Sequence, residues 1–168
     1  MVSSGVTEDI ALRMATVDDV PVIVHHRRAM FTDMGAGDPA GLDAVEATFT
    51  PYVTRGLGDG SYRGWLAQTG NGRVVAGGGL LLYEWPGSPR DPRPRRAYIF
   101  NLYTEPEYRR RGLARRIIQA MMDWCRAEGF KSVALHYSDD GRRLYESMGF
   151  KQTNEMRLWL SEQDWRAN

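Results

Sequence analysis

The stretch YRRRGLARRII, residues 108–118, sets Arg109, Arg110, Arg111, Arg115 and Arg116 around Gly112 where an apolar helix opens. The free N–H groups of a helix's first turn, and its dipole, favour negative charge beyond that end. A glycine lets a phosphate come close to the backbone, and Ala114 is the next smallest residue at a second close-approach position. The arginines add charge-assisted donors from the rim. A strand closed by Pro106, a tight turn, small residues and a helix opening together make a diphosphate site. His25 and His26 are adjacent and suggest a metal at first glance. The only other histidine is His136 and no HExxH occurs, so no metal is expected.

Familiar phosphate loops are excluded. There is no GxGxxG after an N-terminal strand and no GxxxxGK[ST], and the kinase set of signatures is missing. A chain of 168 residues with a net charge of +1 suits one domain, with arginines as local devices rather than a field for coating nucleic acid. The single cysteine, Cys125, allows no intramolecular disulfide. No export signal opens the chain and no segment is apolar enough to cross a bilayer, so a cytoplasmic protein without membrane association is expected.

The elements that must position these residues follow from periodicity. Ile10, Leu12 and Met14 alternate as a short strand. A helix follows Asp18, with Pro21 near its start and Gly35 at its end. A second helix covers about 39–55, shortened or kinked by Pro51, and GLGDG reads as a turn. YRGWLAQ and VVAGGGLLLYEW are strands joined by the NGR turn, and three successive glycines signal a bulge or a close backbone approach. Four prolines make 86–96 a surface loop. AYIFNLYTEP is a strand, and the helix from Gly112 to about Glu128 carries Leu113, Ile117, Met121 and Cys125 at four-residue spacing. KSVALHY is a strand, DDGRRLYESM a short helix, and FKQTNEMRLWL has closing strand character, broken near Thr153–Asn154. The order is that of an α+β protein with a mixed sheet and helices on both faces.

RRRGLA, 109–114, matches the R/Q-x-x-G-x-G/A motif of the GCN5-related N-acetyltransferase (GNAT) superfamily, with Arg109, Gly112 and Ala114 on its fixed positions. IALRMATVDDVPVI resembles that family's first strand and helix. LHYSDDGRRLYESMGF, 135–150, resembles its late strand, loop and LYExxGF signature. The likeness covers residues 10–160 and implies the acyl-CoA N-acyltransferase (GNAT) fold: one domain, core about 10–161, with a mostly antiparallel sheet splayed between its fourth and fifth strands. It also implies an acetyl-coenzyme A site. Leu102, Tyr103 and Thr104 would take the pantetheine arm. The backbone of Arg110, Arg111, Gly112, Leu113, Ala114 and Arg115 would cradle the pyrophosphate, and Arg109, Ser138 and Arg142 would complete the site. Tyr145, on the signature tyrosine, would protonate the leaving thiolate. Its ordinary pKa of about 10 keeps it protonated near neutrality. The Tyr103 N–H would polarise the thioester carbonyl.

The base stays open between Glu84, Glu105, His136 and a chain of water molecules. Histone-type members carry a glutamate where Tyr98 stands here. On the acceptor side the family uses the first helices and the loop after the third strand, which implicates Arg28, Phe31, Tyr83 and Trp85, and Asn101 and His136 are expected to join them. Arg28 would meet an acidic group, or Asp33 an amine. Asp33, Asp38, Asp43 and Glu46 would make an acidic cleft, and 86–96 a lid. The expected activity is acetyl transfer from acetyl-CoA to a small-molecule amine by direct attack in a ternary complex. A protein or peptide acceptor and a non-catalytic acyl-CoA-binding domain are the alternatives. A homodimer is expected from the apolar Met156, Leu158, Trp159 and Leu160, unless Trp165 covers that edge.

Overall fold

The computed structural model describes residues 9–160. Its elements run β1 (Ile10–Met14), α1 (Val20–Asp33), α2 (Pro39–Asp59), β2 (Tyr62–Thr69), β3 (Val74–Glu84), β4 (Arg95–Thr104), α3 (Leu113–Ala127), β5 (Val133–Leu135) and α4 (Asp139–Ser147). The five strands form one sheet in chain order. The first three pairings are antiparallel and β4–β5 is parallel. This is an α+β fold with a mixed, mostly antiparallel sheet.

Two cores lie on opposite faces of the sheet. On one, Val20, Ile23 and Val24 of α1 and Phe49 and Val53 of α2 bury against Tyr62 and Leu66, with Leu81 and Phe100 packed beside them. On the other, Leu113, Ile117, Ile118, Met121 and Cys125 of α3 bury against Val75, Leu80, Leu82, Ala97 and Ile99, and Tyr145 joins them from α4. The four-residue spacing read along α3 is therefore its buried stripe.

The glycine triplet in β3 serves both faces. A side chain at Gly77 would meet Leu66 at 2.8 Å and the His26 ring at 3.2 Å, and one at Gly79 would meet the Tyr62 hydroxyl at 2.5 Å. One at Gly78 would strike Met121 on the opposite face at 2.8 Å. Bare backbone at three consecutive positions lets rings from α1 and β2, and the α3 stripe, close on the same stretch of strand.

Two expectations are corrected. The second helix does not end near residue 55: Pro51 sits on its exposed face, and Val53 and Leu57 continue the apolar stripe begun by Phe49. GLGDG is thus mostly helix, stopped by Gly60 at φ 80°. The closing strands are not formed among the described residues. Residues 151–160 carry no strand, and Met156, Leu158 and Leu160 are 95%, 81% and 93% exposed. Trp165 falls outside the described residues.

Candidate functional site

The site is prepared by an irregularity in β4. Gly79 pairs with Phe100 and Gly77 with Tyr103, so Asn101 and Leu102 together stand opposite Gly78. Asn101 takes φ 58°, the left-handed conformation that asparagine tolerates better than most residues. This bulge re-aims the strand. Leu102 then points to the α3 face, near the place a Gly78 side chain would fill, while Tyr103 lies 5.1 Å from the His26 ring on the α1 face. Asn101 is buried, with Nδ2 donating to the Ile23 carbonyl at 3.5 Å.

Just before the bulge, β4 loses its parallel neighbour. The β4–β5 pairing runs only from Ala97↔Val133 to Ile99↔Leu135. From Phe100 to Thr104 that side of β4 has no partner strand among the described residues. The two strands therefore part at the point where the bulge turns the backbone, leaving the edge along Leu102, Tyr103 and Thr104 without a partner strand among the described residues.

β4 leads into the arginine turn, whose shape rests on two left-handed residues. Arg110 has φ 62° and Gly112 φ 76°. A left-handed arginine costs on the order of 1–3 kcal/mol, a strain found at ligand clamps. Gly112 faces open space, with no atom within 4 Å of where a side chain would begin. The first intrahelical bond runs from the Arg116 N–H to the Gly112 carbonyl at 3.1 Å. The N–H groups of Leu113, Ala114 and Arg115 have no carbonyl of their own helix to reach.

Most of the arginine side chains are already engaged by protein. Arg109 donates from Nε to the Thr104 carbonyl at 3.0 Å and pairs with Asp33 through Nη2. Arg111 bonds the Glu107 carbonyl at 2.9 Å and lies 4.8 Å over the Tyr108 ring. Arg115 reaches Ser147 Oγ at 2.6 Å, and Arg116 the Ile10 carbonyl at 2.8 Å. These guanidinium groups fix the turn to β1, β4, α1 and α4.

Tyr145 is 8% exposed on α4, its ring 5.8 Å from Phe150, and burial raises its pKa further. Its phenol is held protonated. Ser138 caps α4 by accepting from the Gly141 N–H at 3.4 Å, and Arg142 pairs with Glu146 at 2.8 Å.

The acceptor-side residues divide. Asn101 and Phe31 lie beneath α1, on the face that carries the bulge, where Phe31 supports the Arg27 guanidinium at 4.8 Å. Arg28 is taken by Asp43 and Glu46 at 2.7 and 3.0 Å, Asp33 by Arg109, and Asp38 caps α2. The acidic residues of the expected cleft thus each hold a protein partner. His136 contacts Arg157 and lies 5.5 Å from the Tyr98 ring, and burial and then Arg157 lower its pKa.

Tyr83, Glu84 and Trp85 stand elsewhere. Glu84 pairs with Arg95 in register, about 25 Å of strand from Tyr103. The 86–96 loop is latched to the far end of α3: Arg93 donates to the carbonyls of Glu128 (2.9 Å) and Gly129, and Arg96 meets the buried Asp91 at 3.2 Å. It lies at the helix end opposite Gly112. Of the carboxylates considered as a base, it is Glu105 that adjoins Tyr103, with Oε1 3.4 Å from His25 Nε2 and 3.7 Å from His26 Nε2.

Sequence reasoning singled out neither Arg27 nor a buried His26. His26 is 1% exposed and His25's side chain 61%. Burial, then the neighbouring His25, lowers the His26 pKa to about 4. Spacing held part of the signal: His26 lies three residues after the buried Ile23, on the same helix face.

A sequence model of the acetyltransferase (GNAT) family matches residues 27–150. A GCN5-related N-acetyltransferase from Ralstonia eutropha JMP134 is 33% identical, with a TM-score of 0.83 over 90% of this chain and 99% of its own. A predicted acetyltransferase from Clostridium acetobutylicum, whose structure was determined with acetyl-CoA, superposes with a TM-score of 0.82 over 90% of this chain and 96% of its own at 23% identity, a likeness of fold. N-acetyltransferase 8 of Homo sapiens is 32% identical over 94 residues, 54% of this chain and 39% of that protein. The chain thus spans about two fifths of that relative's length.

Proposed function

The chain belongs to the acetyltransferase (GNAT) family, and on that premise we propose that it transfers the acetyl group of acetyl-CoA to the amine of a small molecule, in a complex holding both. The observation that carries this reading is the parting of β4 from β5 after Ile99, in line with a turn whose N–H groups face open space at Gly112. Bound there, acetyl-CoA supplies an activated thioester. The chain's own part is to hold and orient. The N–H groups from Arg110 to Arg115 take the diphosphate, and the free edge of Leu102, Tyr103 and Thr104 takes the pantetheine arm. The Tyr103 N–H polarises the thioester carbonyl, so developing negative charge meets a fixed dipole.

Attack by a neutral amine forms a C–N bond, breaks the C–S bond and requires a proton at sulfur. Tyr145, buried and protonated, supplies it from the α3 face. The amine's own proton leaves through Glu105 or through water. Glu84, at the distant end of β3, is not used.

Calorimetric titration with acetyl-CoA tests the cosubstrate site. Micromolar binding is expected for the unaltered protein. Gly112→Trp should weaken it by about 100-fold or more, because the indole fills the open space and the residue must hold φ 76°. Equal binding by both proteins would remove the turn from the site.

A further inference from the structure

Arg27 differs from the other arginines near the site. Arg28, the next residue, holds two carboxylates, and Arg109 holds Asp33. Arg27 has no carboxylate partner among the described residues. Its guanidinium lies 4.7 Å from the Phe49 ring, 4.8 Å from Phe31 and 5.6 Å from Phe100. Nε is buried with no hydrogen-bond partner, and Nη1 reaches only Asn101 Oδ1, at 3.5 Å.

Arginine does not escape burial by losing its proton, so the charge stays on the guanidinium. Aromatic faces compensate a cation partly, and an unpaired buried charge remains costly until an anion meets it. A narrow crevice between α1 and α2 borders this group; its lining joins Arg27 to the apolar Val24, Phe31, Leu42 and Val45 and to the Arg28–Glu46 ion pair, which leaves the Glu46 carboxylate already neutralised.

A second orphan shares the face. Tyr98 Oη is buried without a partner. Tyr98 pairs in register with Leu81, which packs in the same α1–α2 core as Phe100. Tyr98 and Phe100 therefore lie on one face of β4, with the bulge at Asn101 immediately after Phe100. Arg63 also has an unpartnered Nε, but its guanidinium lies over Trp124 of α3, away from the bulge.

We propose that Arg27 is a specificity-determining residue that receives the carboxylate of the acceptor, so that the preferred substrates are amines that also carry a carboxylate. This rests on the acetyl-transfer reading. The aromatic rings that hold the cation give such an acceptor's carbon skeleton an apolar wall, and Tyr98 Oη offers a further donor.

The test compares acceptors that differ only in the carboxylate. L-phenylalanine is set against 2-phenylethylamine, and 4-aminobutyrate against propylamine, with free-thiol release from acetyl-CoA as the readout and acetyl-CoA binding measured in parallel. The carboxylated member of at least one pair is expected to lead by about 10-fold or more in kcat/KM. Arg27→Met should bring that ratio to within about threefold, chiefly through KM, while turnover of the plain amine persists. Arg27→Lys, which keeps a cation on the rings but lacks the planar fork, should retain part of the preference, and it is the variant to read if Arg27→Met folds poorly. If acetyl-CoA binds but no carboxylated amine outruns its partner, or the ratio survives in both variants, the inference falls and the acetyl-transfer reading stands. If acetyl-CoA does not bind, both fall.

Discussion

At the β4–α3 turn most arginine side chains are occupied by the protein itself, whereas beneath α1 several polar atoms are buried without a hydrogen-bond partner among the described residues. The turn presents open main-chain groups at Gly112 and leaves its guanidinium groups on Thr104, Asp33, Glu107, Ser147 and Ile10. The α1 face holds Arg27 Nε, His26 Nε2 and Tyr98 Oη without a hydrogen-bond partner among the described residues. On the proposed reading, a backbone cradle serves what every cosubstrate of one class shares, a diphosphate, and unsatisfied side chains serve what differs between acceptors. The comparison then teaches that the first site is finished by folding and the second by a ligand.

The largest effect expected from the contrast falls on chemistry. Tyr145→Phe removes the buried proton donor without touching the turn, so kcat should fall about 10²-fold or more while acetyl-CoA affinity stays within about threefold. A parallel loss of affinity would mean that Tyr145 is a packing residue of the cosubstrate side.

The next concerns stability beneath α1. His26 has a folded pKa of about 4 against about 6.5 unfolded. Between those values the unfolded chain binds a proton that the folded one refuses, so stability rises with pH across the window. The contribution is fully present above about pH 6.5, and roughly 3 kcal/mol is lost as pH falls to about 4. Denaturant unfolding at pH 7 and pH 4.5 should show this loss, and His26→Gln should flatten it. An unchanged slope in the variant would assign the effect to other groups.

The smallest effect sharpens the reading of the turn. Arg111→Ala and Arg115→Ala should each weaken acetyl-CoA binding by no more than about fivefold, since their guanidinium groups bond protein atoms and surface contacts of this kind contribute little. Titration of the two variants checks this. Losses near those of Gly112→Trp would shift recognition from main chain to side chain.

The same contrast explains what could be read in the sequence. The turn was legible because its chemistry is local. Pro106, Gly112, Ala114 and the Leu113–Cys125 stripe fix a strand end, a turn and a helix within about 20 residues, and the LYESMGF signature placed Tyr145 on α4. The glycine triplet announced a bulge or close approach, and both occur, with Asn101 as the left-handed residue opposite. The α1 face was not legible, because Arg27 is defined by rings from Phe31, Phe49 and Phe100, some seventy residues apart in the chain. Nor could composition tell that Arg28 spends its charge on Asp43 and Glu46. Alternation in 150–160 suggested strands, yet pairing depends on a neighbour that those residues do not specify. Glu84 was chosen by residue type, and only the β3–β4 register shows how far it stands from Tyr103.

The central claim is that main-chain groups of one strand edge and one turn hold acetyl-CoA. The most direct measurement follows backbone amide resonances in a ¹⁵N-labelled sample during titration with acetyl-CoA. The account predicts the largest shifts at Leu102, Tyr103 and Thr104 and from Arg110 to Arg115, with β1 and α2 little changed. Shifts centred on another surface, or none at saturating acetyl-CoA, would contradict it.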